Sequence, residues 1–253
     1  MKSKRVLIVD DNDINRKLFE NLIGQICLYK SAKNGIEALK MIQEDKFDLI
    51  LMDIQMPQMD GITAMKQVRL SNHSECPIVA VTAFAEIEDR NSFLEQGFDE
   101  FLVKPIRPKS LLECINKFLV DQALPSNGVD EVNNSPIEQV ILDLKVLNQL
   151  LKYNKVETIR TIYLEFLDEC ETLVQDSIKS FNKSDLRIIS ENLHVIKGNS
   201  GTLGANKIFL LSIEGEQSAL DENWLETKKT LHSLQNEIQN FKNYILEETI
   251  FIS

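Results

Sequence analysis

The hydrophobic positions of this chain change rhythm once, and that change divides it in two. From residue 5 to residue 119, short unbroken apolar runs alternate with stretches in which apolar residues recur every three or four positions. RVLIVD (5–10), CLYKSA (27–32), FDLILMD (47–53), PIVAVTA (77–83) and EFLVKP (100–105) are predicted as five strands. NRKLFENLIGQ, NGIEALKMIQED, GITAMKQVRLS and DRNSFLEQG lie between them with helical spacing, and KSLLECINKFL follows the last. Strands that are continuously apolar belong to a sheet covered on both faces. Five βα units of this kind predict an α/β fold with a right-handed, doubly wound, five-stranded parallel sheet.

From 121 to 140 the text becomes DQALPSNGVDEVNNSPIEQV, rich in Pro, Asn, Ser, Gly and acids, which reads as a linker. From 141 to 253 there is no proline and little that reads as strand. LDLKVLNQLLKY, ETIRTIYLEFLDECETLVQDSIKSF, SDLRIISENLHVIKGNSG, ANKIFLLSIEGEQSAL and WLETKKTLHSLQNEIQNFKNYILEE all carry helical spacing. They predict an all-α antiparallel bundle, with turns at 182–184 and 221–223 and Ser184 and Asp221 as candidate caps. The expected organisation is therefore one domain at 1–120, a linker at 121–140 and a second domain at 141–253.

Composition narrows the function. No apolar run is long enough to span a bilayer, and the N-terminus lacks the long apolar stretch of a signal peptide. The four cysteines are scattered, with no close pair for a metal or redox motif, which fits a reducing, cytoplasmic setting. Net charge is −11, and it is uneven: residues 1–120 hold 16 Lys+Arg against 18 Asp+Glu, and residues 121–253 hold 12 against 21. Such an acidic surface repels phosphate backbones and argues against a nucleic-acid partner.

In a doubly wound sheet, ligands sit beyond the carboxyl ends of the strands. Those ends carry Asp10 and Asp11, Asp53, Thr82, and Lys104 followed by Pro105. Three carboxylates converging on one lysine are tolerable when a hard cation such as Mg2+ and the lysine neutralise them. One carboxylate could then attack a phosphoryl group as a nucleophile, with the Thr82 hydroxyl bonding its oxygens. Strand-end acids can instead simply cap helices, and for Asp13 that reading suffices.

"LIVDDN", "DLILMDIQMPQMDG", "VTA" and "FLVKP", in this order, resemble the receiver domain of two-component response regulators over residues 4 to about 120. The resemblance implies Asp53 as phosphoacceptor, and Asp10, Asp11 and Asp53 as Mg2+ ligands with the backbone carbonyl of Gln55. It implies Thr82 and Lys104 as phosphoryl contacts, Phe101 as the switch aromatic, and a cis Lys104–Pro105 bond. Gly61 fits a backbone turn ahead of the next helix.

The segment HVIKGNSGTLGA (194–205) carries one of three histidines. Leu186, Ile189, Leu193, Ile196 and Leu203 form one stripe, and His194 lies roughly 130° from its centre, facing solvent or a partner. Lys197 and Gly198 sit beside it, and a mid-helix glycine costs about 1 kcal/mol against alanine. The order is wrong for a P-loop, no second ligand supports zinc and no nucleophile partner supports a triad. An unreactive surface histidine stays open on geometry alone.

His-x-x-Lys-Gly followed by Leu203-Gly204-Ala205 closely resembles the histidine phosphotransfer (HPt) domain, a four-helix bundle, over residues 141 to about 248. By that resemblance His194 carries the phosphoryl group, Lys197 balances its charge, and Gly198 clears the approach of a receiver, with Gly204 the second motif glycine. Val195 and Asn199 stand where serine is more usual. His73 and His232 match nothing and read as surface residues. Together the two resemblances imply a phosphorelay protein moving phosphoryl groups between Asp53-type receivers and His194, with a histidine kinase and a downstream response regulator receiver as partners and intramolecular receiver–HPt contact possible. The MKSKRVLIVDDN start favours a self-standing protein. Receiver then HPt is also the order at the C-terminal end of hybrid sensor histidine kinases, and a phosphorylation-switched binding module is a further alternative.

Overall fold

A computed structural model of the protein describes residues 3–70, 75–82, 94–119 and 140–251. The chain forms two compact units, 1–132 and 133–253. Apart from Val140, the predicted linker lies outside the described residues. No helix among the described residues is long and apolar enough to cross a membrane.

In the first unit the described elements are β1 (Arg5–Val9), α1 (Asp13–Ile23), β2 (Leu28–Ala32), α2 (Gly35–Glu44), β3 (Leu49–Asp53), α3 (Gly61–Leu70), β4 (Ile78–Thr82), β5 (Glu100–Val103) and α4 (Pro108–Leu119). All strand pairs are parallel, in the order β2-β1-β3-β4-β5. The predicted helix at 89–97 falls outside the described residues through 93, and 94–96 are helical. Every residue of β3 and β4 is buried, as continuous apolar strands demand. β2, at the sheet edge, exposes Leu28 and Tyr29.

Register lines up the carboxyl ends. Val9 pairs with Met52, Asp53 with Val81, and Thr82 with Val103. Asp10, Asp53, Thr82 and Lys104 therefore emerge side by side. The loop after β3 returns sharply, so that the Gly61 amide bonds the Ile54 carbonyl at 2.9 Å. A Cβ on Gly61 would lie 2.0 Å from the Asp53 carbonyl oxygen, which is why this position takes no side chain.

The second unit comprises α5 (Leu144–Tyr153), α6 (Val156–Asn182), α7 (Leu186–Leu203), α8 (Asn206–Leu220) and α9 (Trp224–Glu247), ending in a short 3-10 turn. The four longer helices form a closed ring, each packed on the next and α9 back on α6, with α5 resting on α6 and α7. The bundle is thus four-helix with one helix appended. Tyr163, Phe166 and Phe241 fill its centre in edge-on contacts. The Tyr163 hydroxyl, which needs a partner when buried, donates to the Leu203 carbonyl at 2.8 Å. Gly204 closes α7 with φ 73, a left-handed conformation that glycine adopts freely, and its carbonyl accepts from Asp143, the cap of α5.

Three cap assignments are corrected. Asn12, not Asp13, caps α1, its side-chain oxygen accepting from the Ile14 and Asn15 amides. The cap of α7 is Asp185, whose carboxylate accepts from the Ile188 amide, and the cap of α9 is Asn223, which accepts from Glu226. Ser184 and Glu222 instead take positive φ (58 and 54), so the chain must finish its turn before a helix can start. Asp221 ends α8 instead of beginning α9.

Two glycines should respond oppositely to a methyl group. Gly61→Ala is expected to destabilise the first unit by about 1–3 kcal/mol through overpacking. Gly198 has nothing within 4 Å of its Cβ position, so Gly198→Ala should be neutral or stabilise α7 by up to about 1 kcal/mol. Denaturant unfolding of the intact protein reads both, and equal effects would sink the close-approach account of Gly61.

Candidate functional site

The aligned strand ends build a charged pocket on an apolar floor. Asp10 and Asp53 are 1% and 3% exposed, whereas Asp11 is exposed at the rim. One carboxylate oxygen from each of the three lies within 4.8 Å of the others. Lys104 reaches in from the end of β5 and places Nζ 2.5 Å from Asp53 Oδ2 and 3.1 Å from Asp10 Oδ2. The Lys104–Pro105 bond is cis. Thr82 is 1% exposed, and its carbonyl accepts from the Lys104 amide at 2.6 Å. The Gln55 amide donates to Asp53 Oδ1 at 3.2 Å. Phe101 sits on β5 opposite Ala80, partly buried against the core.

Crowding like charges in a buried place has a cost that the titration behaviour displays. Burial, then the neighbouring Asp10, pushes Asp53 up to about 7 despite Lys104. Asp11 is raised by burial and again by Asp10. Burial works against the Lys104 ammonium, but Asp10 and Asp53 outweigh it and hold its pKa above the ordinary lysine value. Asp10 Oδ2 is buried and accepts no aligned hydrogen bond. A buried oxygen held only by the Lys104 ion pair, in an all-carboxylate, all-oxygen set, fits a hard divalent cation.

The second site lies on α7. Ile189, Leu193, Ile196 and Leu203 are fully buried, and the His194 side chain is 34% exposed. The imidazole is less free than the helical wheel implies, because its Nδ1 lies 2.7 Å from Glu216 Oε1 on α8. The other oxygen of Glu216 accepts from Lys197 Nζ at 2.5 Å. Burial tends to raise Glu216, but the bonds from His194 and Lys197 prevail and lower it below the ordinary carboxylate range. An ionised carboxylate only accepts, so Nδ1 carries the proton and a neutral His194 keeps its Nε2 lone pair outward. Gly198, one turn on, leaves bare surface beside the ring.

Residues 6–116 match the family described as response regulator receiver domain, and residues 161–244 match the Hpt domain. The probable transcriptional regulator ycf27 of Guillardia theta is 31% identical over 191 residues, covering 72% of this chain and 71% of that protein. The chain belongs to the response regulator family, with an Hpt domain after its receiver. The sensor histidine kinase GacS of Pseudomonas protegens is 36% identical over 153 residues, 58% of this chain and 16% of the kinase. The histidine-protein kinase BarA of Escherichia coli is 28% identical over 241 residues, 93% of this chain and 26% of that protein. The chain thus spans about a quarter or less of the length of these two kinases.

The structure brings Asp10, Asp11, Asp53 and Lys104 together in the receiver, with Thr82 one residue beyond the register of Asp53. It brings His194 and Lys197 together in the Hpt domain only through Glu216, a residue that sequence reasoning missed. The available signal was Gly215 inside a helical pattern. A Cβ there would lie 3.0 Å from Leu193, so the glycine lets α8 close on α7 and carries Glu216 alongside His194. Asn199 is 1% exposed and ties α7 to Glu169 of α6 at 2.8 Å. His232 is exposed, and His73 lies outside the described residues.

Nitrogen NMR of His194 should find the neutral ring predominantly as the Nδ1–H tautomer. Glu216→Ala should return it toward the Nε2–H form that free imidazoles prefer in water. Identical spectra for the two proteins would remove Glu216 from any role in orienting the ring.

Proposed function

We propose that this chain is a phosphorelay component in which Asp53 and His194 are successive phosphoryl carriers. The observation supporting it most strongly is the pairing, in one chain, of a lysine-neutralised carboxylate pocket with an oriented, outward imidazole nitrogen. In this reading the receiver occupies 1–120, a linker 121–140 and the Hpt domain 141–253.

Asp10, Asp11 and Asp53, with the backbone carbonyl of Gln55, would hold Mg2+, which when bound supplies positive charge against the phosphoryl oxygens. An Asp53 carboxylate oxygen attacks phosphorus, forming an acyl phosphate as the P–N bond of a kinase phosphohistidine, or the P–O bond of a small acyl phosphate, breaks. Lys104 moves from neutralising the carboxylates to neutralising phosphoryl charge, and the Thr82 hydroxyl donates to a phosphoryl oxygen. Phe101 responds to the Thr82 position as the switch aromatic. On the Hpt side, His194 Nε2 attacks the phosphorus of a phosphoaspartate as the acyl P–O bond breaks and the aspartate carboxylate leaves. Glu216 accepts from the Nδ1–H that stays on the ring and stabilises its positive charge, and Lys197 balances phosphate charge. Gly198 gives a receiver room to approach, and Gly204 sets the end of the helix that bears the histidine.

The partners are a histidine kinase upstream and a response regulator receiver downstream, in the cytoplasm. The order receiver then Hpt also suits the C-terminal portion of a hybrid kinase, a reading favoured by the match to BarA across both units.

Radiolabel transfer from a kinase or acetyl phosphate with Mg2+ is the direct test. Wild type should show an acid-stable, base-labile aspartyl label lost in Asp53→Ala, and a base-stable histidyl label lost in His194→Ala. Absence of both from wild type would sink the relay.

Mg2+ binding should also follow pH. Asp53 titrates near 7 in the folded, metal-free chain against an ordinary 3.8, so the folded state holds a proton that the unfolded state releases between those values. Metal-free stability therefore falls as pH rises through that window, and Mg2+ must displace the proton. Calorimetric titration should show affinity weakening by up to about tenfold per pH unit below 7. A dissociation constant flat from pH 8 to 6 would contradict the raised pKa.

A further inference from the structure

Arg16 is a buried charge with no part in the phosphoryl chemistry proposed above. Its side chain is 9% exposed, although an exposed position would cost nothing in solvation. From the first turn of α1 it reaches back toward the loop that precedes the helix. Nη1 donates to the Asp10 backbone carbonyl at 2.7 Å, and Nη2 pairs with the Asp13 carboxylate. Asp13 has a second cation 3.3 Å away, Lys33.

Asp10 is thereby held at its amide, its carboxylate and its carbonyl. The amide donates to Ala32 of β2 at 3.2 Å, Oδ1 accepts from the Asn12 amide at 2.9 Å, and the carbonyl accepts from Arg16. Of these bonds, the one to the carbonyl acts most directly on Asp11. It fixes the plane of the Asp10–Asp11 peptide, and so the direction in which Asp11, the exposed carboxylate of the trio, is presented. Asp11 has no strand to position it. Fixing that plane requires a donor from outside the loop, and among the described residues Arg16 supplies it.

We propose that Arg16 is a positioning residue for the divalent-cation site, holding the Asp10–Asp11 peptide so that both carboxylates face the cation together. The inference rests on the metal reading given under the proposed function. A positive charge near a cation site would by itself weaken binding. Here Asp13 pairs with the guanidinium, so the orienting hydrogen bond outweighs the charge. The sign of the effect separates the two: loss of orientation weakens Mg2+ binding, and loss of repulsion tightens it.

The experiment is calorimetric Mg2+ titration of the full chain at pH 8, with thermal melts, for wild type, Arg16→Ala, Arg16→Lys, Asp13→Asn and Asp11→Asn. Outer-shell partners of metal ligands are worth about 10–100-fold in affinity, so Arg16→Ala should raise the Mg2+ dissociation constant at least tenfold. Arg16→Lys, which retains a cationic donor group, should recover part of that loss, and Asp13→Asn should weaken binding less than Arg16→Ala, since it removes charge compensation but no bond to Asp10. Acetyl phosphate labelling should show the half-saturating Mg2+ concentration rising in Arg16→Ala, with the maximal rate restored at saturating Mg2+. An unchanged or tighter Mg2+ constant in Arg16→Ala, or a rate that excess Mg2+ fails to restore, overturns the inference. If wild type itself binds no Mg2+, or Asp11→Asn binds as well as wild type, the metal reading fails and takes the inference with it.

Discussion

Repulsion among Asp10, Asp11 and Asp53 is the constraint around which the receiver is built. Three carboxylates within one small pocket, two of them buried, would drive the strand ends apart or bind protons. What holds them is the sheet. β1 and β3 lie side by side at the centre, covered on both faces, with a register that leaves the carboxyl ends nowhere to go. Lys104 arrives from β5, two strands from Asp53, and spans β4 to reach it. The pocket therefore draws on packing energy invested elsewhere, in fully buried strands such as LILMD and IVAVT. A carboxylate held this way stays nucleophilic only while a cation offsets its neighbours. That ties its chemistry to whatever occupies the pocket.

The Hpt domain meets the opposite electrostatic demand with a smaller device. In the proposed relay its nucleophile is the His194 imidazole, which would become cationic on taking a phosphoryl group. A single carboxylate, Glu216, sits between His194 and Lys197 and serves both. It fixes the ring by bonding Nδ1 and fixes the lysine one turn away. The cost of half-burying that carboxylate is offset by two charge-assisted bonds, so it stays ionised. Close helix packing makes the arrangement possible, since Gly215 opposite Leu193 is what brings α8 near enough.

How much of this was legible in the sequence depended on whether a group's neighbours are set by one element or by two. Strand ends declare themselves: a run such as RVLIV followed by Asp-Asp places those acids at the carboxyl end of the sheet whatever the rest of the chain does. Hence Asp10, Asp11, Asp53, Thr82 and Lys104 could be assembled from the sequence alone. His194 could be set off the apolar stripe from periodicity, and it is partly exposed. Its partner Glu216, 22 residues on and on another helix, could not, because helical phase says nothing about which residue of a neighbour faces it. Arg16 was hidden for a related reason. A charged residue near a helix start reads as solvent-facing, and only the return of its side chain to Asp10 shows otherwise. The caps at Asp185 and Asn223 slipped by one and two positions because Ser184 and Glu222 adopt left-handed backbone that no residue preference announced.

Asp53 and His194, the two proposed carriers, differ in a way that restricts how a phosphoryl group could pass between sites of these kinds. Asp53 is 3% exposed at the bottom of a pocket walled by Asp10 and Lys104, so an acceptor must come to it. His194 stands a third exposed on a helix surface, its outer nitrogen directed away from Glu216. Of the two, only the imidazole can be the inserting group. Insertion demands that nothing beside it strike the pocket rim first, and the position one turn along is Gly198, whose missing side chain leaves open space. The lysine at Lys197 is held back by Glu216 at the flank of the ring, where it adds charge without adding bulk in front. The glycine and the tethered lysine therefore answer one requirement. A convex imidazole must enter a concave, carboxylate-lined pocket and bring positive charge with it.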